Sequence, residues 1–128
     1  MNKNKYLLMV SSIGVFLLLA AAAVSENFMK DWHDIQGSAK TTEGPIDLRL
    51  RQIVNPQLKV TDRCVTCHVG MASGEQITTD QKVGAAHKPV VHSPTEIGCT
   101  TCHGGQGQAT EKDDAHGNVH FWTEPMLP

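Results

Sequence analysis

The chain has 128 residues, a net charge of −2 and only six aromatic side chains. Its scattered Lys and Arg residues form no basic stripe, which argues against a nucleic-acid partner, and so few aromatics cannot fill an ordinary core. With an apolar N-terminal stretch set aside, about 100 residues remain, enough for one small domain and not two.

Residues 1–5 form a short leader that carries Lys3 and Lys5, followed by an uncharged apolar run from Tyr6 to Val24. As a helix this run would be about 28 Å long at about 1.5 Å per residue, close to a bilayer core of about 30 Å. No Lys or Arg follows until Lys30, so the positive-inside rule sets residues 1–5 in the cytoplasm and the rest outside. The expectation is a retained transmembrane anchor over 6–24. A cleaved signal peptide is the alternative, because Ala20 to Ala23 suit a signal peptidase. Either reading delivers the remaining chain outside the cytoplasm.

Residues 25–40 place Phe28, Met29, Trp32 and Ile35 at helical spacing, which predicts an amphipathic membrane-proximal helix ended near Gly37. Trp32 is expected at the membrane interface, and His33 as a surface histidine. From Thr41 onward the chain collects most of its 17 Gly and Pro residues, the mark of a loop-rich segment. The stretch Leu48–Ile53 fits a short strand or a helical turn about equally well.

Residues 41–128 contain all four cysteines, in Cys64-Val-Thr-Cys67-His68 and Cys99-Thr-Thr-Cys102-His103. Both match CxxCH, the c-type haem attachment pattern. Two thiols three positions apart on a helical turn reach two vinyl groups of one porphyrin, and the next histidine points its imidazole to the iron from the same side. A zinc ribbon would use the thiolates and leave both histidines unexplained. A redox dithiol would want a strand-and-helix framework that this chain does not offer. Two covalent haems c are the reading, held by Cys64, Cys67, Cys99 and Cys102, with His68 and His103 as proximal ligands. Two porphyrins would also supply the apolar core that the side chains lack.

Each iron then needs a sixth ligand. His87, His92, His116 and His120 are available after the first motif, so bis-histidine coordination is expected at both irons. His92 lies close enough before Cys99 to fold over the second haem. His116 follows the Gly104-Gly105-Gln106-Gly107 loop, whose glycines are expected to pass close to a porphyrin. His87 precedes the rigid Lys88-Pro89 step. His92, His116 and His87 are the distal candidates, with His120 the expected bystander. Met71 lies too near the proximal side to ligate, and Met126 competes with four histidines.

These residues resemble the multihaem c-type cytochromes of bacterial respiratory chains. The likeness rests on Asp62-Arg63-Cys64-Val-Thr-Cys67-His68-Val-Gly70, on Gly98-Cys99-Thr-Thr-Cys102-His103-Gly-Gly-Gln-Gly107, on Ala115-His116-Gly117 and on Trp122. It implies low-potential, six-coordinate haems that pass electrons between a membrane quinol-oxidising partner and periplasmic carriers. With only two motifs, the chain is also a candidate subunit of a larger respiratory complex.

The expected fold is mostly coil with short α-helices wrapped around two covalent haems, plus one N-terminal transmembrane helix, and little or no sheet. The expected function is electron transfer, without a small-molecule substrate, because spare histidines can close both irons. A haem enzyme or gas sensor with one five-coordinate iron is the alternative, as is a structural haem subunit.

Overall fold

The apolar run 6–24 is rich in Leu and Ala, which favour helix because such side chains lose little freedom there and offer no competing hydrogen bonds. The structure, a computed structural model that describes residues 2–71, 77 and 84–127, forms α1 over Lys3–Phe28. The Asn2 side chain caps it by accepting from the Asn4 N–H at 3.0 Å. No residue of α1 is buried, and its Leu, Val, Ile and Phe side chains stand exposed. The helix is long and apolar enough to cross a membrane. It ends at Met29, which leaves helical geometry at φ −114° and ψ 7°. Near this end Lys30 pairs with Glu26 at 3.6 Å.

The chain divides into two compact units, residues 1–30 and 31–128. The single amphipathic helix expected over 25–40 is thus cut: Phe28 and Met29 stay exposed in the first unit, while Trp32 begins the second and is 3% exposed. Trp32 is therefore a core residue and not the interfacial anchor that its neighbours suggested. The cause is the new helix α2, Asp31–Ser38, which turns Trp32 and Gln36, one helical turn apart, onto the same buried face.

After α2, two hairpins carry all the strand in the described residues. β1 (Lys40–Thr41) pairs with β2 (Gly44–Pro45), and β3 (Ile53–Asn55) with β4 (Val60–Asp62), both antiparallel. Leu48–Gln52 is neither strand nor helical turn; it is an irregular lead-in to β3. In the β3–β4 turn, Asn55 Oδ1 accepts from the Leu58 N–H at 3.1 Å, and Lys59 takes the left-handed φ of 56°. The remaining elements are single helical turns: α3 (Cys64–Cys67), α4 (Pro94–Ile97), α5 (Thr100–His103) and α6 (Lys112–Ala115). Helices with little sheet therefore describe the chain.

Packing is centred on the β3–β4 hairpin and α2. α2 packs on α3, α4 packs on β3, and α5 lies against β4. Among the described residues, the buried apolar side chains are Trp32, Ala39, Ile53, Val65 and Val69. Five such residues are a thin core for a unit of this size.

Candidate functional site

The first CxxCH turn is held from behind by backbone recognition. Thr66, fully buried, donates from Oγ1 to the Arg51 carbonyl at 2.6 Å and accepts from the Arg51 N–H at 2.9 Å. Gln36, 1% exposed, donates from Nε2 to the carbonyls of Thr66 and Arg49, each at 2.8 Å, and accepts from the Arg49 N–H at 2.9 Å. The two residues between Cys64 and Cys67, Val65 and Thr66, thus face the protein. The thiols and His68, which occupy the rest of the turn, are only half-buried.

The second turn is held by Asp62, at the end of β4. Its carboxylate accepts from the Thr100 N–H at 2.7 Å and from Thr100 Oγ1 at 2.8 and 2.9 Å. Thr101 Oγ1 donates to the Ile97 carbonyl at 2.7 Å. Gly98, just before Cys99, has φ 84°, and a Cβ there would collide with Val60 Cγ1 and lie 2.8 Å from Asp62 Oδ2. Only glycine meets both conditions. Past the motif, the Gly107 carbonyl accepts from the Arg63 N–H at 2.6 Å, so the chain folds back onto the first motif.

The two motifs meet at their first cysteines. Asp62, Cys64 and Cys99 present an oxygen and two sulfurs that all lie within 4.8 Å of one another. The contact between the thiols pushes Cys64 up, with burial adding to the effect, and pulls Cys99 down. Burial, then Asp31 and Glu111, raise Cys67.

The histidines fall into two facing pairs. His68 and His116 have ring centroids 6.3 Å apart at an interplanar angle of 38°, and His87 and His103 have centroids 6.3 Å apart at 66°. Two imidazoles bound on opposite sides of one metal, each through a bond of about 2 Å and with a ring radius of about 1 Å, have centroids about 6 Å apart. Each pair joins a motif histidine to one supplied from elsewhere in the chain. His92 enters neither ring contact and is exposed, and exposed His120 contacts Phe121 at 5.8 Å.

Local structure prepares these imidazoles. His116 caps α6, its N–H bonded to the Lys112 carbonyl, while its own carbonyl accepts from the Met126 N–H at 2.9 Å. The His103 carbonyl accepts from the Leu127 N–H at 2.6 Å, so the C-terminal segment braces both haem-side histidines. His87 Nδ1 lies 2.6 Å from the Lys88 carbonyl. A carbonyl can only accept, so the proton sits on Nδ1 and the Nε2 lone pair is left for a metal. Burial first, then His116 and His103, lower His68, which favours the neutral, ligating imidazole.

Other features bear on the fit. The glycines after His103 approach protein and not open space: a Cβ on Gly104 would lie 3.1 Å from the Pro125 carbonyl oxygen, and one on Gly105 would lie 2.6 Å from that of Ala115. Their smallness serves the C-terminal brace, where the sequence suggested a porphyrin face. Beside the first motif, the buried donors Trp32 Nε1 and Arg51 Nε find no acceptor among the described residues. Buried donors are rarely left so, and a bound group with carboxylate edges would supply acceptors. Paired imidazoles, four thiols and spare donors together fit covalently attached haem.

Sequence reasoning did not single out Gln36, Asp62 or Thr100 as positioning residues, because each has an ordinary residue type at an ordinary spacing. Asp62 was noticed only as part of a motif's flank.

No curated protein and no solved structure matches the chain. A family model does: that of cytochrome c554 and c-prime, which matches residues 25–104, well over half of the chain and both CxxCH motifs. The family implies covalent haem c and electron transfer, in agreement with the thiols and imidazoles gathered here. The chain belongs to the cytochrome c554 and c-prime family and is a c-type cytochrome.

Proposed function

We propose that this cytochrome carries two haems c and relays electrons outside the cytoplasm, tethered to the membrane by α1. The observation that carries this reading is the pair of 6.3 Å imidazole spacings, one for each CxxCH histidine. Cys64 and Cys67 hold one haem between His68 and His116; Cys99 and Cys102 hold the other between His103 and His87. When bound, each haem supplies a one-electron ferric/ferrous couple, with a potential set by its axial ligands and surroundings.

The chain's own residues do the rest. Two imidazoles per iron leave no open position for substrate, which favours a carrier over an enzyme or gas sensor. The same four imidazoles, already placed in facing pairs, would need to move little between the oxidation states. Cys64 and Cys99, with sulfurs within 4.8 Å, bring the attachment edges of the two haems together, the arrangement a short inter-haem step needs.

The uncharged run 6–24 of α1, exposed along its whole length, and Lys3 and Lys5 at the start of the helix support an anchor with the 31–128 unit on the outer face. There a membrane quinol-oxidising partner can deliver electrons and periplasmic carriers can collect them.

The test is haem content and spin state of the purified protein. Two haems per chain by mass, with low-spin spectra in both oxidation states and no carbon monoxide binding, are expected. One haem per chain, or a high-spin iron, would sink the reading.

A further inference from the structure

We infer that the Asp62 carboxylate is a positioning charge for electron transfer: from the junction of the two motifs it biases both irons toward the ferric state. The inference rests on the two-haem reading.

Asp62 is 2% exposed, and its oxygens share a 4.8 Å cluster with the first attachment sulfur of each motif. Among the described residues, the hydrogen bonds it accepts come from Thr100, through a backbone N–H and a hydroxyl. These donors are neutral. The neighbouring cation, Arg63, turns elsewhere, with Nε toward Gln52 Oε1 at 3.4 Å and Nη1 donating to the Gln108 carbonyl at 3.1 Å. Among the described residues no ion pair involves Asp62. Glycine is required on two sides of the carboxylate, since a Cβ at Gly107 would collide with Oδ1 and one at Gly98 would lie 2.8 Å from Oδ2.

A latch between β4 and α5 needs only an acceptor, and a neutral amide would serve. Burying a full charge beside neutral donors costs desolvation energy that an amide would avoid. What the charge adds is a field at both haem edges. Reduction places one more electron on each haem, and a fixed negative charge nearby opposes it. The expected size is roughly a tenfold change in the ferric/ferrous ratio, or about 59 mV for a one-electron couple.

Spectroelectrochemical titration of the full-length haem-loaded protein tests this. Asp62→Asn keeps the size and an acceptor but removes the charge, so both midpoint potentials should rise, each by a roughly tenfold shift in ratio. A merely structural latch, once loosened, would admit water, which favours the charged ferric state and lowers the potentials. The sign therefore discriminates. Unchanged or lowered potentials at both haems overturn the inference. Should Asp62→Asn fail to load haem, Asp62→Glu decides. It keeps the charge and should hold both potentials near those of the parent, whereas a structural latch disturbed by the longer side chain would lower them; lowered potentials at both haems overturn the inference. Two haems per chain with unmoved potentials defeat the role of Asp62 alone, whereas fewer than two haems defeat the reading beneath it.

Discussion

His68 and His116 face each other with ring centroids 6.3 Å apart, although one closes a turn near the middle of the chain and the other caps a turn near its end. The His68 turn is fixed by the Gln36 and Arg51 backbone contacts to Thr66. His116 is fixed by α6 and by the C-terminal segment through Met126. The pair exists because two separately braced turns arrive on opposite sides of one gap.

Replacement of His116 or His87 by Ala should leave both haems covalently attached but open one iron. Each variant is expected to show a high-spin fraction of about half and to bind carbon monoxide at one iron, read by optical difference spectra. His92→Ala should retain the parent spectrum. A low-spin His116→Ala protein that refuses carbon monoxide would falsify the pairing.

The two irons should also be distinguishable by electron paramagnetic resonance. Imidazole planes closer to perpendicular bring the iron dxz and dyz orbitals nearer in energy and make the signal more anisotropic. The His87–His103 pair, at 66°, should give the more anisotropic low-spin signal, and the His68–His116 pair, at 38°, the more ordinary one. Loss of the former signal alone in His87→Ala would assign it.

Gln36→Leu removes three hydrogen bonds, one buried and two part-buried, and strands the Thr66 carbonyl and the Arg49 backbone groups. A cost of about 2–4 kcal/mol is expected, seen as a Tm lower by about 10 °C or more in the haem-loaded protein. A Tm within a degree or two of the parent would mean that the turn is braced elsewhere.

Cys64→Ala and Cys99→Ala should each fail to give a cooperatively folded 31–128 unit, because five buried apolar residues are a thin core without haem. Circular dichroism melting checks this; a sharp transition in a haem-free variant would show that the polypeptide core suffices.

The mature protein should sediment with membranes after high-salt and alkaline washing, and its mass should include the segment before Val24. A soluble form that begins after Ala23 would instead identify α1 as a cleaved signal.

Much of the chemistry was legible from local spacing. CxxCH is a single turn, so its two thiols and one imidazole are set by neighbours in sequence, and a 19-residue apolar run declares a helix whatever surrounds it. The low aromatic content likewise pointed to a thin core, which the five buried apolar residues match. Trp32 was misread because helical periodicity continues across residues 25–40, whereas the backbone breaks at Met29 and starts again. The glycines of 104–107 were read as places where backbone passes a porphyrin; the protein atoms that a Cβ would meet there are Pro125 at Gly104, Ala115 at Gly105 and the Asp62 carboxylate at Gly107.

By itself, the sequence determined two CxxCH turns, which gather Cys64, Cys67 and His68, and Cys99, Cys102 and His103, each within a few residues, and the apolar N-terminal helix. All of these depend on contacts a few residues apart. Only the tertiary structure decided which distant histidines face the motif histidines, that His92 stands outside both pairs, and that Asp62 joins the two motifs. Those relationships are set by chain closure: Arg63 bonding to Gly107, Met126 to His116 and Leu127 to His103. Such long-range pairings leave no periodicity in the sequence, because the backbone groups that form them are the same in every residue.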